Sequence, residues 1–154
     1  MKLILAAVGK CKPGPHADLI AKYQKQLPWA LQIKEIPAGK PSLSPTQRIE
    51  QESNALLHAT TDCQRLIACD SGGKHLSSEA IAEQFGRWQE VGDASVGLLI
   101  GGADGLSDAV RSKADLILAF GNATWPHMLA RVMLTEQLYR AWSILNRHPY
   151  HSGH

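Results

Sequence analysis

The stretches Ser95-Val-Gly-Leu-Leu-Ile-Gly-Gly-Ala-Asp-Gly105 and Leu116-Ile-Leu-Ala-Phe-Gly-Asn-Ala-Thr-Trp-Pro-His127 decide how this chain is read. Each starts as a short unbroken apolar run, the pattern of a strand buried on both faces of a parallel sheet. Each then breaks into small residues. Glycine at 101 and 102 removes the Cβ atoms where the first run ends, so backbone N–H groups there can approach a ligand closely. Gly121-Asn122-Ala123-Thr124 offers the same freedom after the second run.

Working outward, Lys2 to Val8 and Arg65 to Cys69 repeat the buried-strand pattern, with Ser95 to Ile100 and Asp115 to Phe120 as the other two such runs. Leu31-Gln-Ile-Lys-Glu-Ile36 interleaves polar residues and reads as a strand nearer an edge, which makes five strands. Helical patterns fill the gaps. Leu19, Ile20, Tyr23 and Leu27 form one apolar stripe that Pro28 terminates. Ser44-Pro45-Thr46-Gln47 combines an N-cap serine, proline in the first turn and a capping-box glutamine, and Ile49, Leu56 and Leu57 give that helix its buried side. A third helix starts near Ser77 or Ser78 with Ile81, Phe85 and Trp88 inward, and Ser107 caps a short fourth. Strands alternating with helices imply an α/β fold whose ligand lies at the carboxyl ends of the strands. Three such ends carry glycine: Ser71-Gly72-Gly73, Gly101-Gly102 and Gly121.

The last helix, from Pro126 to roughly Leu145, has no clean solvated face. Met128, Leu129, Val132, Met133, Leu134, Leu138, Tyr139, Ala141, Trp142 and Leu145 point nearly all round it. A surface helix shows one apolar stripe, so this one needs cover on two sides. The sheet supplies one, and a second subunit is the expected source of the other.

Composition excludes several classes. The 154 residues are 44% hydrophobic, ordinary for a globular chain, and suffice for one domain spanning 1–154 without metal or disulfide staples. No run approaches the roughly 18 apolar residues of a membrane span, and the start Met1–Gly9 fits a buried strand better than a signal peptide. Cys11, Cys63 and Cys69 are an odd number without a Cys-x-x-Cys pair, which points to the reducing cytoplasm and away from a disulfide framework or structural zinc. A net charge of +2 does not by itself announce nucleic acid.

Neither a P-loop nor a dinucleotide Gly-x-Gly-x-x-Gly fingerprint occurs, and no Gly-x-Ser-x-Gly elbow supports a nucleophilic hydrolase. Asp70 and Asp104 lie on adjacent loop candidates and are read either as a carboxylate pair or as turn formers. His148, His151 and His154 have ligand-like spacing but no carboxylate or thiol partner, so no metal is assigned. Arg131 follows His127 by four residues, placing two cationic or proton-carrying groups on one face of the helix start, with a surface ion pair as the plainer reading. Arg147-His148-Pro149-Tyr150-His151 mixes charge, hydrogen-bonding groups and an aromatic ring, which suits a phosphate or base contact and suits an unstructured tail equally.

Taken together, Met1-Lys2-Leu3 through Ala7-Val8-Gly9-Lys10, Glu35-Ile36-Pro37-Ala38-Gly39-Lys40, Leu99-Ile100-Gly101-Gly102-Ala-Asp-Gly105-Leu106-Ser107, Trp125-Pro126-His127, Leu138-Tyr139-Arg140-Ala141-Trp142 and His148-Pro149-Tyr150-His151 resemble the bacterial large-subunit ribosomal RNA pseudouridine N3-methyltransferase family. The resemblance covers essentially the whole chain. It implies a SPOUT-type methyltransferase: an α/β domain with a mostly parallel sheet and a C-terminal trefoil knot, cytoplasmic and homodimeric, using S-adenosylmethionine. The implied substrate is N3 of a pseudouridine in 23S rRNA, on assembled ribosomes rather than naked RNA, with neither membrane nor DNA as partner. The implied cofactor contacts fall on Cys69, Gly101, Phe120, Gly121, Asn122, Ala123, Thr124 and Trp125. Cys69 departs from the leucine usual in relatives, yet remains a small apolar wall.

Attack by N3 on a sulfonium methyl group requires loss of the N3 proton and accurate positioning. The candidates are His127, Arg131, Tyr150 and His151, the tail acting across the dimer interface. Lys10, Lys12, Lys74, Arg87, Arg131 and Arg147 are the cations available to line an RNA surface. From the residues alone, two other readings stay open: an α/β nucleotide-binding enzyme of another reaction class, and a catalytically silent ribosome-binding protein.

Overall fold

The computed structural model describes residues 1–153, and the His154 of the metal-like histidine series lies outside them. Apolar runs alternating with amphipathic stretches give the order β1 (Lys2–Val8), α1 (Pro15–Gln26), β2 (Ala30–Ile36), α2 (Pro45–Ala59), β3 (Arg65–His75), α3 (Ser78–Glu90), β4 (Ser95–Ile100), α4 (Asp108–Lys113), β5 (Leu116–Ala119) and α5 (His127–Leu145). The five strands pair in parallel in the order β2-β1-β4-β3-β5. The mixed-polarity strand β2 takes an edge, and the unbroken run of β4 lies at the centre. All carboxyl ends therefore open on one rim of the sheet.

Alternation along β1 feeds two cores. Leu3, Leu5 and Ala7 join Ile81, Phe85 and Trp88 of α3 and Leu134 and Leu138 of α5, whereas Ala6 and Val8 meet Leu56 of α2 and Val110 of α4 on the opposite face. Burying each such leucine contributes about 2 kcal/mol. Serine caps place the helices as expected. Ser44 Oγ accepts from the Gln47 N–H at 3.2 Å while the Gln47 side chain accepts from the Ser44 N–H at 3.0 Å, and Ser77 and Ser107 cap α3 and α4.

One expectation needs correction. Gly72-Gly73 does not end a strand: β3 runs on to His75, and residues 70–73 form a bulge, because Cys69 and Lys74 both pair with Leu118. Gly73 is glycine because the chain presses there on β5, where a Cβ would lie 2.6 Å from the Ile117 carbonyl oxygen. A glycine pair after an apolar run looks the same in sequence whether the strand ends or bulges. The cover of α5 is partly internal. Its flanks pack on α1 and α3 of the same chain, so Leu134, Leu138 and Tyr139 are buried without a partner subunit. Val132 and Ala141 are buried as well, whereas Met133, Trp142 and Leu145 stay half-buried or exposed.

Gly97 on β4 faces Thr60 and Leu66, whose side-chain carbons would come within 2.8–2.9 Å of an added Cβ. Overpacking of this kind costs about 1–3 kcal/mol. Gly97→Ala is expected to lower the urea midpoint accordingly without altering the slope of the transition.

Candidate functional site

The loop leaving β5 is closed on itself by one side-chain bond. Trp125 Nε1 donates to the Phe120 carbonyl at 2.8 Å, and Gly121 at the turn has φ +88°, a conformation glycine adopts without strain. Among the described residues, the backbone groups of Gly121 to Thr124 make no backbone hydrogen bond of their own. They border a cavity of about 230 Å³ walled by Cys69, Gly101, Phe120, Gly121, Ala123, Thr124 and Trp125, with Leu118 and Ile100 at its base. Residues more than 50 positions apart thus meet at one point of the sheet's rim. Asn122 sits on the same loop without forming part of the wall.

Opposite this loop, β4 ends in a tight turn. Gly105 N–H donates to the Gly102 carbonyl at 3.0 Å, and a Cβ on Gly101 would stand 2.8 Å from the Gly105 carbonyl oxygen. Gly101 is therefore required by its own turn and, with no side chain, leaves the cavity wall flat. The combination fits an adenosyl group: an apolar slot of sulfur, aliphatic and aromatic carbon, edged by uncommitted backbone donors and acceptors.

Residues 70 and 71, which the sequence reading did not assign to the site, also line the cavity. Asp70 accepts from the Gly72 N–H at 2.9 Å and from Arg111 Nη2 at 2.6 Å. Of the two readings of Asp70 and Asp104 the carboxylate pair does not form, because Asp104 is taken by Arg48 at 2.8 Å. Each aspartate shapes its own loop. Asp70 reaches the cavity as the first residue of the bulge in β3, next to Cys69, and nothing in the local sequence marks a bulge apart from a turn.

The four candidates for orienting a base separate into two groups. His127, in the first turn of α5, lines the cavity and its Nε2 donates to the Gly101 carbonyl. Arg131, one turn later, points away from the cavity and is buried, its guanidinium donating to Glu35 at 2.8 Å and to the Gly9 carbonyl at 3.1 Å. It is neither a surface ion pair nor part of an RNA-facing surface. His127 and Arg131 instead fasten one face of α5 to the ends of β4 and β1.

Tyr150 and His151 lie elsewhere, in the tail folded back on α5 and α3. Tyr150 donates to Glu136 Oε1 at 2.8 Å, and Arg140 holds the same carboxylate at 2.6 Å while lying over the Tyr150 ring. His151 meets Glu79 at 3.0 Å and Arg140 at 3.3 Å. Burial, reinforced by bonding to Tyr23 and Glu136, pushes the Tyr150 hydroxyl up, so near neutrality it serves as a donor rather than a base. Tyr150 borders a wider cavity of about 900 Å³ that shares Leu118 to Gly121 with the smaller one. The tail is thus structured by side-chain bonds that sequence alone did not reveal.

Burial, with Asp70 adjacent, pushes the Cys69 thiol up to about 12, so thiolate is scarce at pH 8. Alkylation by iodoacetamide at pH 8 is expected to be more than about tenfold slower at Cys69 in the native protein than in urea, read by peptide mass spectrometry. The Cys11 backbone N–H, opposed by partial burial and aided by Arg131, holds the Glu35 carboxyl below its ordinary 4.5. A carboxyl lowered on folding stabilises above its unfolded value and loses that contribution as pH falls through its folded one. The Tm difference between wild type and Glu35→Gln is expected to be full at neutral pH and to close below about pH 4.5.

A family model described as "Predicted SPOUT methyltransferase" matches residues 1–151. The chain is 48% identical over 151 residues to a ribosomal RNA large subunit methyltransferase H of Rhodospirillum centenum, covering 98% of this chain and 99% of that one. It is 44% identical over 151 residues to the protein of that name in Paramagnetospirillum magneticum, with coverages of 98% and 99%. Its fold is similar to that of a probable methylase family protein of Haemophilus influenzae, with a TM-score of 0.58 at 13% identity over 97% of this chain and 69% of the other.

Proposed function

The chain belongs to the SPOUT methyltransferases, and from that premise we propose that it methylates N3 of a pseudouridine in 23S ribosomal RNA on the assembled ribosome, with S-adenosylmethionine as methyl donor. The observation that supports this reading is the meeting of Cys69, Gly101, Phe120, Gly121, Ala123, Thr124 and Trp125 around one cavity at the carboxyl rim of the sheet. Cys69, Leu118 and Phe120 give an adenine ring its apolar walls, and the backbone of Gly121 to Thr124 provides donors and acceptors for its edge, Asn122 contributing through its main chain. S-adenosylmethionine, when bound, supplies an activated methyl group.

His127 stands on the wall of that cavity and orients what lies against it. Arg131 acts through position, holding α5 and with it His127 in place. Tyr150 and His151 act from the other side, Tyr150 at the wider cavity that adjoins the first and His151 beside it in the tail, against Glu79 and Arg140. Leu19, Tyr23 and Met133 give that wider cavity apolar walls, and a homodimer that closes it brings the tail of one copy to the site of the other. The whole chain forms one methyltransferase domain. The family reading carries the C-terminal trefoil knot as well, consistent with β5 lying beyond β3 while α5 returns across α3 and α1. No helix among the described residues is long and apolar enough to cross a membrane, and the cytoplasm, where ribosomes lie, is the proposed site of action.

The decisive assay uses ribosomes from a strain lacking this protein. They are expected to accept labelled methyl from S-adenosylmethionine only when the protein is added, at a single nucleotide of the large-subunit RNA. Calorimetry should show heat of binding with S-adenosylmethionine and none with ATP or NAD. A protein that binds S-adenosylmethionine yet leaves such ribosomes unlabelled would not have this function.

A further inference from the structure

The corner made by Gly101 and Gly102 has a second side. There the ends of β1 and β4, the 38–41 loop, α2 and the first turn of α5 enclose another cavity, of about 500 Å³. It borders the cofactor cavity directly, because His127 lines both.

Glu52 is the feature of this cavity that its fold does not explain. It is a charged side chain only 4% exposed. Its Oε1 accepts from the Gly39 N–H at 2.8 Å, while Oε2, itself buried, has no hydrogen-bond partner. Arg48, one turn away, does not serve it, since its guanidinium donates to Asp104 at 2.8 Å and to the Leu43 carbonyl at 2.6 Å. Gly102 makes room for the orphan oxygen: a Cβ there would stand 2.4 Å from Oε2. A buried carboxylate oxygen left without a donor is a strong acceptor waiting for one.

We propose that this cavity seats the methyl-accepting base, and that Glu52 Oε2 accepts a ring N–H from it. The inference rests on the function proposed above. A uracil ring joined to its sugar through carbon keeps hydrogen on both ring nitrogens. N3 receives the methyl group, and N1–H remains a donor. In uridine, N1 carries the sugar and has no hydrogen to give. A carboxylate that takes N1–H therefore selects pseudouridine over uridine by the bond itself, and a site built around a buried hydrogen-bond partner discriminates strongly against an analogue lacking it. The mouth suits RNA: Lys10 lines this cavity, and an adjoining smaller one shares Lys10 and adds Lys12, cations for the phosphate backbone that fix register without reading sequence.

Glu52→Gln isolates the claim. The carboxamide oxygen keeps the Gly39 N–H bond, which turns the NH2 group toward the cavity, donor facing donor. Ribosomes carrying pseudouridine at the target, and ribosomes carrying uridine there from a strain without the pseudouridine synthase, are compared for methyl transfer by wild type and E52Q. Wild type is expected to prefer pseudouridine, and E52Q to lose about tenfold or more in kcat/KM on pseudouridine while its preference collapses. Its Tm and its calorimetric affinity for S-adenosylmethionine should stay at the wild-type level. A preference that survives in E52Q, or a wild type without one, overturns the inference and leaves the proposed function standing. A wild type that labels neither ribosome overturns both. Should E52Q fail to fold, titration of the wild type with free pseudouridine and free uridine decides the matter by amide chemical shifts. Shifts at Gly39 and Gly102 with pseudouridine alone support the inference, and equal shifts or none overturn it.

Discussion

The buried guanidinium of Arg131 ties helix α5 to the carboxyl rim of the sheet, and the layout of the site depends on that tie. Glu35 and the Gly9 carbonyl are its partners at the ends of β2 and β1. Four residues earlier, His127 meets the Gly101 carbonyl at the end of β4. Two successive turns of one helix are thus fixed to strands that are neighbours in space. The 120–126 loop, held between β5 and this helix, has little freedom in where it lies.

The glycines at the end of β4 answer to closer neighbours. The turn through Gly105 and Leu106 leaves no room for a Cβ at Gly101, and Glu52 leaves none at Gly102. The two positions face different cavities. One is edged by backbone groups and apolar carbon, suited to a cofactor recognised through shape and main-chain bonds. The other carries a carboxylate and a cationic mouth, suited to a polar ring on an anionic chain. Methyl transfer needs these two kinds of surface side by side, since the transferred carbon must reach a nitrogen held next to it.

Much of this was legible in the residues. The Ser44-Pro45-Thr46-Gln47 signal formed the capping box it describes, and the unbroken runs at Lys2–Val8 and Ser95–Ile100 became buried parallel strands because each face of the sheet is covered by helices. The mixed run Leu31–Ile36 became an edge. The misses share one cause. Gly72-Gly73 looked like the end of a strand and lies in a bulge, because the deciding contact is with Ile117, some 45 positions away. The all-round apolarity of α5 called for cover on two sides, and α1 and α3 supply part of it, with Met133, Trp142 and Leu145 left half-buried or exposed. Asp70 and Asp104 were left open as a pair, and each found an arginine instead.

The sequence by itself determined the element types, their caps, the parallel sheet and the rim on which a ligand belongs, since periodicity, capping and strand composition are local and each residue carries its own part of the signal. Through resemblance it also pointed to the family and to residues that line one cavity at that rim. Only the tertiary structure decided that Arg131 is an internal tie, that Tyr150 and His151 lie apart from His127, and that Glu52 carries a buried oxygen without a donor. Those facts depend on which distant groups share a low-dielectric interior, where an ion or hydrogen-bonding group must find a partner at long range along the chain or go without one.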